Sequence, residues 1–307
     1  MELFPYKPRK NQIAIMQTIN RILSEKKDLV FESGTGSGKT ACAISAALSY
    51  AIKNNKKIIY TTRTNSQQRQ VILELREIKK KNKSLTKDIY GVGMQGRSNM
   101  CILAKNNPDL SYGSSEELSK FCSSQKKKAK NSDNKGCIYY RRFLDEKIKK
   151  EAIDFFKKNI PTAEEFIEYC QDKQICPYEL NKMLLKEAKV VVVPYIYVFD
   201  INIRNMLFDN LGCSQDDMVL IVDEAHNLPD YIRDLFSAEL SMYMLNNCIY
   251  EAEKYGDPSM LDGRFSVKTF CETLENILRD LRDTYVYCIL ENGIRRGGVK
   301  QSDAFIP

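Results

Sequence analysis

The amino-acid sequence predicts an α/β fold, built on a doubly wound parallel β-sheet with a further helical segment. Three observations carry this prediction. Short runs rich in β-branched residues alternate with helical patterns, a glycine-rich turn joins an apolar run to a helix, and an acidic dipeptide ends the last run. Continuous apolar runs of this kind are typical of parallel strands covered on both faces. The 307 residues leave room for about two domains.

Strands and helices of the predicted sheet alternate along the chain. Five apolar runs are predicted as strands: Asp28–Ser33, Lys57–Thr62, Asp88–Val92, Lys189–Tyr195 and Met218–Ala225. Three segments between them are predicted as helices: Asn11–Glu25, Lys39–Lys53 and Ser66–Lys80. Such an alternation is the pattern of a sheet with helices on both faces.

Two segments do not belong to this alternation. Lys39 and Asp223 are 184 positions apart, which is more than a compact nucleotide-binding domain needs between its first strand and its acidic strand. We therefore expect an insertion over Gly93–Glu187. From about Ser237 onward, the spacing of apolar residues predicts amphipathic helices.

The net charge of +7 is concentrated in one stretch. Residues 120–158 hold eleven Lys and two Arg against five acids, which suits a polyanionic partner such as nucleic acid. A solvated, lysine-rich surface is the alternative. The sequence contains neither an apolar run long enough to span a membrane nor the apolar core of a signal peptide. We expect a cytoplasmic or nucleoid location without membrane contact.

The glycine-rich turn has the chemistry of a phosphate-binding loop. Glycines let several backbone N–H groups approach a phosphate closely, and the following helix adds the positive end of its dipole. Lys39 is expected to reach the β- and γ-phosphates of ATP, and the Thr40 hydroxyl to coordinate Mg²⁺. The strict pattern has glycine at the first position, where this chain has serine. The predicted ATP-binding loop is Ser33, Gly34, Thr35, Gly36, Ser37, Gly38, Lys39 and Thr40.

An acidic motif follows the last predicted strand. Asp223 stands at the carboxyl end of that strand, which is the edge where open α/β sheets bind ligands. We expect Asp223 to hold Mg²⁺ and Glu224 to orient or deprotonate the attacking water. His226 is the only histidine in the sequence. A single histidine excludes multi-histidine metal sites. His226 is placed to relay hydrogen bonds to a neighbouring domain.

Five of the ten cysteines fall between Cys101 and Cys176. Four thiolates can hold zinc or an iron–sulfur cluster. The C-x₂₋₄-C pairs of structural zinc sites do not occur here, and Cys176 is followed by proline, as in some cluster-binding runs. Spacing alone leaves a cluster, zinc and inert buried thiols all open.

In combination, six short segments resemble the XPD/DinG family of superfamily 2 DNA helicases, the iron–sulfur helicases. The resemblance covers about residues 1–236. The segments occur in the family's order: the loop ending GTGSGKT, Tyr60–Gln67, Gly96–Cys101, Cys176–Glu179, Val193–Tyr195 and the DEAH box at Asp223–His226.

This resemblance implies specific site residues. Four cysteines are implied as ligands of a 4Fe-4S cluster: Cys101, Cys122, Cys137 and Cys176. Cys170 is a spare that could replace one of them. Arg63, Thr64 and Gln67 match a segment that contacts single-stranded DNA. Arg9 and Gln12 resemble an element near the adenine of ATP.

The resemblance also implies a domain plan and an activity. Residues 1–96 and 184–236 would form a RecA-like first motor domain, 97–183 the iron–sulfur domain and 237–307 part of a helical Arch-like domain. The activity would be ATP-dependent 5′→3′ DNA unwinding, in DNA repair. The family's second motor domain is not recognisable in the sequence, so we interpret the chain as an N-terminal fragment. An ATP-responsive module that binds single-stranded DNA without motor activity is the alternative, and a zinc-containing accessory ATPase is a weaker one.

Overall fold

The computed structural model describes residues 3–34, 36–107, 110, 115–131, 135–237, 240–260, 263–291 and 294–299. The chain divides into two compact units, Met1–Leu235 and Phe236–Pro307. None of the described helices combines the length and the apolar composition that a membrane span requires.

A parallel sheet of four strands forms the centre of the first unit, as far as the structure describes it. The strands are β1 (Lys57–Thr62), β2 (Gly91–Gly93), β3 (Val190–Pro194) and β4 (Met218–Val222). They lie in the order β2-β3-β1-β4, and every neighbouring pair is parallel. The predicted parallel α/β sheet is confirmed, with β2 shifted toward Gly93 and β4 ending before the acidic motif.

Burial explains why β3 lies inside this sheet. Val190, Val191, Val192 and Val193 are all 0% exposed, so side chains on both faces of the strand are covered. A run of four valines suits such a position, because β-branched residues pack well on a pleated surface. The buried residues of the sheet and its flanking helices form one continuous core.

The predicted strand Asp28–Ser33 is wrong, because residues 27–34 form no regular element. Leu29 packs against the small core between the first two helices, but Val30 is 94% exposed. The sheet order leaves β4 at an edge, and Leu220 on that strand is 50% exposed. A strand forms only where a neighbour accepts its hydrogen bonds, and within the described residues no strand lies on this side of β4.

Helices cover the sheet and lead into the site. Their bounds are α1 (Lys10–Ser24), α2 (Lys39–Lys53), α3 (Asn65–Lys81), α11 (Ile196–Phe199), α12 (Ile201–Leu211) and α13 (Leu228–Phe236). Two 3₁₀ turns, Gln215–Asp217 and Ala225–Asn227, flank β4. Helix α2 is the most buried of these, since its alanines leave space for close packing on the sheet and on α1.

Between β2 and β3 the described residues are helical. These helices are α4 (Arg97–Met100), α5 (Ile102–Lys105), α6 (Ser115–Asn131), α7 (Ile138–Phe143), α8 (Glu146–Asn159), α9 (Ala163–Asp172) and α10 (Pro177–Leu185). Helices α7 and α10 begin directly after Cys137 and Cys176, which occupy their N-cap positions. The cysteines are therefore held at the ends of helices, where the backbone is well defined.

The second unit contains two long helices, α14 (Met242–Tyr255) and α15 (Val267–Tyr285). The amphipathic pattern predicted helices in this region, and these two agree with it. Two short antiparallel hairpins were not predicted: β5 (Ser259–Met260) with β6 (Phe265–Ser266), and β7 (Val286–Glu291) with β8 (Ile294–Val299).

Candidate functional site: a phosphate loop, an acidic turn and a cysteine pocket

Hydrogen bonds join Ser33 and Gly34 to Ser37 in the loop directly before α2. The Ser37 N–H donates to the Gly34 carbonyl over 3.2 Å. The Ser33 hydroxyl donates to the Ser37 hydroxyl over 2.8 Å. The strict pattern has glycine at the position of Ser33. Here the serine stabilises the loop through its hydrogen bond to Ser37.

Two glycines of this turn need their freedom from a side chain. Gly36 and Gly38 have φ values of +75° and +82°, a left-handed conformation that glycine adopts at little steric cost. A Cβ on Gly38 would lie 2.6 Å from the Gln12 amide nitrogen. Helix α2 starts immediately after Gly38 and directs the positive end of its dipole toward the turn. The predicted phosphate ligand Thr35 lies outside the described residues.

Lys39 links the loop to the acidic turn. Its Nζ donates to the Ser33 carbonyl over 2.8 Å and lies 3.7 Å from Oε1 of Glu224. Both side chains are about one-third exposed, so they lie at the surface rather than in the core. The two motifs, far apart in sequence, thus meet at one position.

Gln12 contacts the loop from α1. Its amide nitrogen donates to the Ser37 carbonyl over 2.9 Å, and its amide oxygen accepts from the Arg9 N–H over 2.9 Å. Arg9 itself is exposed at the N-cap of α1. The predicted adenine-binding pair therefore borders the loop, with Gln12 bonded to it.

The Asp223–Glu224 turn follows β4 directly. The Asp223 N–H donates to the Thr61 carbonyl over 3.0 Å, which extends the pairing of β4 with β1. The Glu224 N–H donates to the Asp223 carboxylate over 3.1 Å, and Glu224 has a φ of +49°. A non-glycine residue in this conformation is uncommon and is found at strained turns.

Burial and the neighbouring charge of Glu224 raise the pKa of Asp223 above its ordinary value. The N–H of Glu224, the Lys39 ammonium and a hydrogen bond from Tyr60 oppose this rise. A carboxylate in such surroundings is a ready ligand for a cation, since a cation offsets the cost of burying its charge.

Tyr60 was missed by sequence reasoning. Its buried side chain lies on β1, and its hydroxyl is close enough to the Thr40 and Asp223 side chains to interact with both. Burial and the nearby Asp223 raise the pKa of Tyr60. The two residues predicted to hold Mg²⁺ therefore share one hydroxyl partner. A tyrosine inside an aliphatic strand was the available signal, because buried tyrosine hydroxyls find a partner.

A second tyrosine, Tyr195, hydrogen-bonds the backbone of the acidic turn. Its side chain is buried, and its hydroxyl donates to the backbone carbonyls of Asp223 and Glu224, the latter over 3.1 Å. These two bonds fix the backbone at the point where Glu224 takes its unusual conformation.

His226 and Arg63 meet the turn at its exposed end. Nδ1 of His226 lies 3.3 Å from Oε2 of Glu224, and Nε2 lies 3.1 Å from the amide of Asn227. Arg63 donates to the Asn227 side-chain oxygen over 2.7 Å. Asn227, which no motif singled out, thereby connects the predicted DNA-binding segment to the acidic motif.

Thr64 and Gln67 form the N-terminal cap of α3. The Gln67 N–H donates to the Thr64 hydroxyl over 3.3 Å, and the Thr64 N–H donates to the Gln67 amide oxygen over 3.0 Å. This is a capping box, which stabilises the start of a helix. These two predicted DNA contacts therefore have a structural role as they stand, and Arg63 is the exposed residue beside them.

One cavity collects the four cysteines that the family resemblance assigned. Cys101, Cys122, Cys137 and Cys176 all line it, together with aromatic and basic side chains. The Cys137 sulfur accepts the Tyr140 N–H over 3.4 Å. Among the residues that the structure describes, no three His, Cys, Asp or Glu side chains are grouped closely enough to hold a single metal ion.

Burial raises the pKa of three of these thiols. It raises the pKa of Cys176 to about 12, and it raises those of Cys122 and Cys137. For Cys122 the positive charges of Arg97 and Lys126 act in the opposite direction. A bound metal reverses this preference, because a coordinating thiol is deprotonated.

Cys170 lies elsewhere. It is 0% exposed and belongs to the main hydrophobic core rather than to the lining of the cysteine cavity. Its geometry is that of a small buried hydrophobe, so the spare cysteine is the one that the cavity leaves out.

The basic stretch forms an exposed face on α6. Lys120, Lys127 and Lys128 line a shallow surface groove together with Ser119, Ser123 and Ser124. Hydroxyls and ammonium groups are typical phosphate-backbone contacts, so this face retains both the polyanion interpretation and the solvated-surface one.

The parallel sheet with its phosphate loop places the chain in the RecA-like α/β class. The DEAD_2 family matches residues 60–245, which is more than half of the chain, and the chain belongs to that family. Two solved structures share the fold. One, named XPD_Helicase, has a TM-score of 0.58 over 93% of this chain and 43% of its own, at 20% identity. The other, named Truncated XPD, has a TM-score of 0.52 over 94% of this chain and 70% of its own, at 18% identity.

Curated relatives are similar at low identity. The General transcription and DNA repair factor IIH helicase subunit XPD/RAD3 of Saccharomyces cerevisiae is 24% identical over 250 residues, covering 78% of this chain and 31% of that protein. The Regulator of telomere elongation helicase 1 homolog of Caenorhabditis briggsae is 28% identical over 272 residues, covering 82% and 26%. The ATP-dependent DNA helicase CHL1 of Kluyveromyces lactis is 28% identical over 200 residues, covering 64% and 23%. The chain spans about a third or less of the length of these relatives.

Proposed function

We propose that this chain is the first motor domain of an ATP-dependent DNA helicase of the iron–sulfur XPD/DinG type, acting 5′→3′ in DNA repair. The observation that carries the proposal is the meeting of Lys39 with Glu224 across one cleft, 3.7 Å apart. Membership in the DEAD_2 family and the helicase names of the relatives support it.

In this proposal each residue of the cleft has a task in phosphoryl transfer. Lys39 exchanges its bond to the Ser33 carbonyl for the β- and γ-phosphates of ATP. Thr40 and Asp223 would hold Mg²⁺, which would supply positive charge beside the transferred phosphate. Glu224 orients the attacking water and accepts its proton. Charges positioned in this way supply most of the catalysis that phosphoryl transfer needs.

His226 and Arg63 connect this chemistry to DNA. Glu224 contacts His226, and Asn227 joins the same turn to Arg63. A change in the charge at Glu224 can therefore reach the residue that the resemblance assigns to the DNA backbone. The exposed lysines of α6 would extend the path of single-stranded DNA.

The cysteine cavity is proposed to hold a 4Fe-4S cluster. Its donor set fits, because it offers four soft thiols and no carboxylate or imidazole ligand. Cys101, Cys122, Cys137 and Cys176 would be the ligands. When bound, the cluster supplies a rigid covalent centre that joins the helices carrying these cysteines.

Iron analysis tests this assignment with a matched pair of variants. The chain is purified without oxygen, and iron is measured together with the absorbance band near 400 nm. We expect wild type and Cys170→Ala to hold iron and Cys122→Ala to lose it, because Cys122 lines the cavity and Cys170 does not. Zinc instead of iron, or loss of iron in Cys170→Ala alone, would contradict the ligand set.

A further inference from the structure

Lys126 lies on the helix that carries Cys122 and contacts the two helices whose N-caps are Cys137 and Cys176. It lies on α6, four residues after Cys122, and residues at this spacing share a helix face. Both residues line the cysteine cavity. The lysine therefore belongs to the same wall as the sulfur.

The Lys126 ammonium bonds to the helix that follows Cys176. Its Nζ donates to Oε1 of Glu179 over 2.7 Å, and Glu179 lies in the first turn of α10. The two side chains are 25% and 15% exposed. A partly buried ion pair is screened less than a surface pair and costs more to break on one side.

The same ammonium also contacts the helix that follows Cys137. It lies 5.3 Å from the centre of the Tyr140 ring, within the range of a cation–π interaction. Tyr140 is on α7, whose N-cap is Cys137. One positive charge thus joins the helices of Cys122, Cys137 and Cys176.

We propose that Lys126 is a positioning residue for the cofactor of the cysteine cavity. It fastens α6 to α7 and α10, and it compensates negative charge in the cavity. The inference rests on the proposed iron–sulfur cluster, but neither the family match nor the ligand assignment requires it. Four thiolates bring more negative charge than the iron–sulfur core offsets, and the net charge near a cluster sets its reduction potential.

The test compares Lys126→Met with Lys120→Met in the full chain. Lys120 is on the same helix and pairs with Glu116 over 2.7 Å, but both of these side chains are about three-quarters exposed. The substitutions are identical in chemistry, but Lys126 lines the cysteine cavity and Lys120 lines the surface groove. Iron release to a chelator and the reduction potential are measured for each anaerobically reconstituted protein.

We expect Lys126→Met to release iron about tenfold faster than wild type, the scale at which outer-shell partners act on metal sites. Its potential should move to more negative values, because Glu179 is left without its counter-charge. Lys120→Met should match wild type in both measurements. Lys126→Arg should restore the potential, since it keeps the charge.

The double variant Lys126→Met/Glu179→Gln distinguishes the effect of charge on the reduction potential from the effect of the helix contacts on iron release. It removes both charges, so its potential should return toward wild type, while iron release stays fast because the helices remain unfastened. Circular dichroism and nucleotide affinity check that each variant is folded. If Lys126→Met does not fold, the rate of iron release is compared between the double variant and Lys120→Met.

Two results would overturn the inference, and they are distinguishable. If wild type binds no iron, the proposed cluster is wrong, and the role of Lys126 falls with it. If wild type binds iron but Lys126→Met matches Lys120→Met in release rate and potential, the cluster stands and the role of Lys126 is wrong.

Discussion

In the structure, Lys39 and Asp223 both form contacts with other groups of the chain. Lys39 bonds to the Ser33 carbonyl and faces Glu224, while the Asp223 carboxylate accepts the Glu224 N–H. Each of these contacts occupies a group that the proposed function assigns to nucleotide or Mg²⁺. Binding would therefore exchange contacts within the chain for contacts with the ligand.

Asp223 should lower the stability of the ligand-free chain at neutral pH. Its pKa is raised by burial and by Glu224, so the folded chain binds a proton more tightly than the unfolded chain. The free energy of unfolding therefore falls as the pH rises from below 3.8, the ordinary value, through the raised folded value. We expect Asp223→Asn to melt at a higher temperature than wild type at pH 7, without nucleotide or Mg²⁺.

Asp217→Asn is the matched control for this prediction. A hydrogen bond from Ser214 and the charge of Lys56 lower the pKa of Asp217, so its ionised form adds stability above the ordinary value. Asp217→Asn should therefore lower the melting temperature at pH 7. The advantage of Asp223→Asn should shrink as the pH approaches 4. An Asp223→Asn variant no more stable than wild type at pH 7 would contradict the linkage.

Sequence reasoning identified the charged residues of this site and missed the ones that hold them. Lys39, Asp223 and Glu224 lie in motifs with a fixed spacing, so their chemistry is visible in the sequence. Tyr195 hydrogen-bonds the backbone of Asp223 and Glu224, Tyr60 lies beside Asp223, and Asn227 joins this turn to Arg63. Such partners depend on which strands become neighbours, and short-range patterns do not encode that.

At the scale of the element, β-branched composition predicted strands that the sheet does not always provide. β1 and β3 formed where predicted, and each has a neighbour on both sides. Residues 27–34 have a similar apolar run but no strand beside them in the described part of the chain. Backbone pairing, which sequence composition does not specify, decided between these cases.

A buried and an exposed valine allow the same substitution to be compared in the two environments. Val192 on β3 is 0% exposed, and Val30 is 94% exposed. Val192→Ala should lower the free energy of unfolding by about 2 kcal/mol, because it leaves a cavity. Val30→Ala should change it by less than about 0.5 kcal/mol. Denaturant melts measure both values, and equal losses would show that residues 27–34 are buried in the folded chain.

At the scale of the whole molecule, the relatives are three to four times longer than the portion they share with this chain. The match covers 31% of the yeast relative and 26% of the nematode one. The cleft described here has the loop and the acidic turn on its walls. In the proposed function, a second motor domain would supply further positive charge to the transferred phosphate, as arginine fingers do in other nucleotide hydrolases.

We therefore expect residues 1–307 alone to bind ATP but to hydrolyse it slowly, with little stimulation by single-stranded DNA and no unwinding. Phosphate release and a strand-displacement assay measure these activities. Glu224→Gln is the background control, because it removes the proposed base while leaving the loop intact. Robust DNA-stimulated unwinding by wild type would contradict the division of the ATP site between two domains.

The proposed function depends most on the nucleotide site at Lys39. Equilibrium binding of a fluorescent ATP analogue with Mg²⁺ tests this site directly. Lys53 at the exposed end of the same helix provides the control. Charge-assisted hydrogen bonds are worth about 1.5–3 kcal/mol, so Lys39→Ala should weaken binding by about ten- to a hundredfold. Lys53→Ala should bind like wild type. Equal affinities for wild type and Lys39→Ala would contradict the central claim.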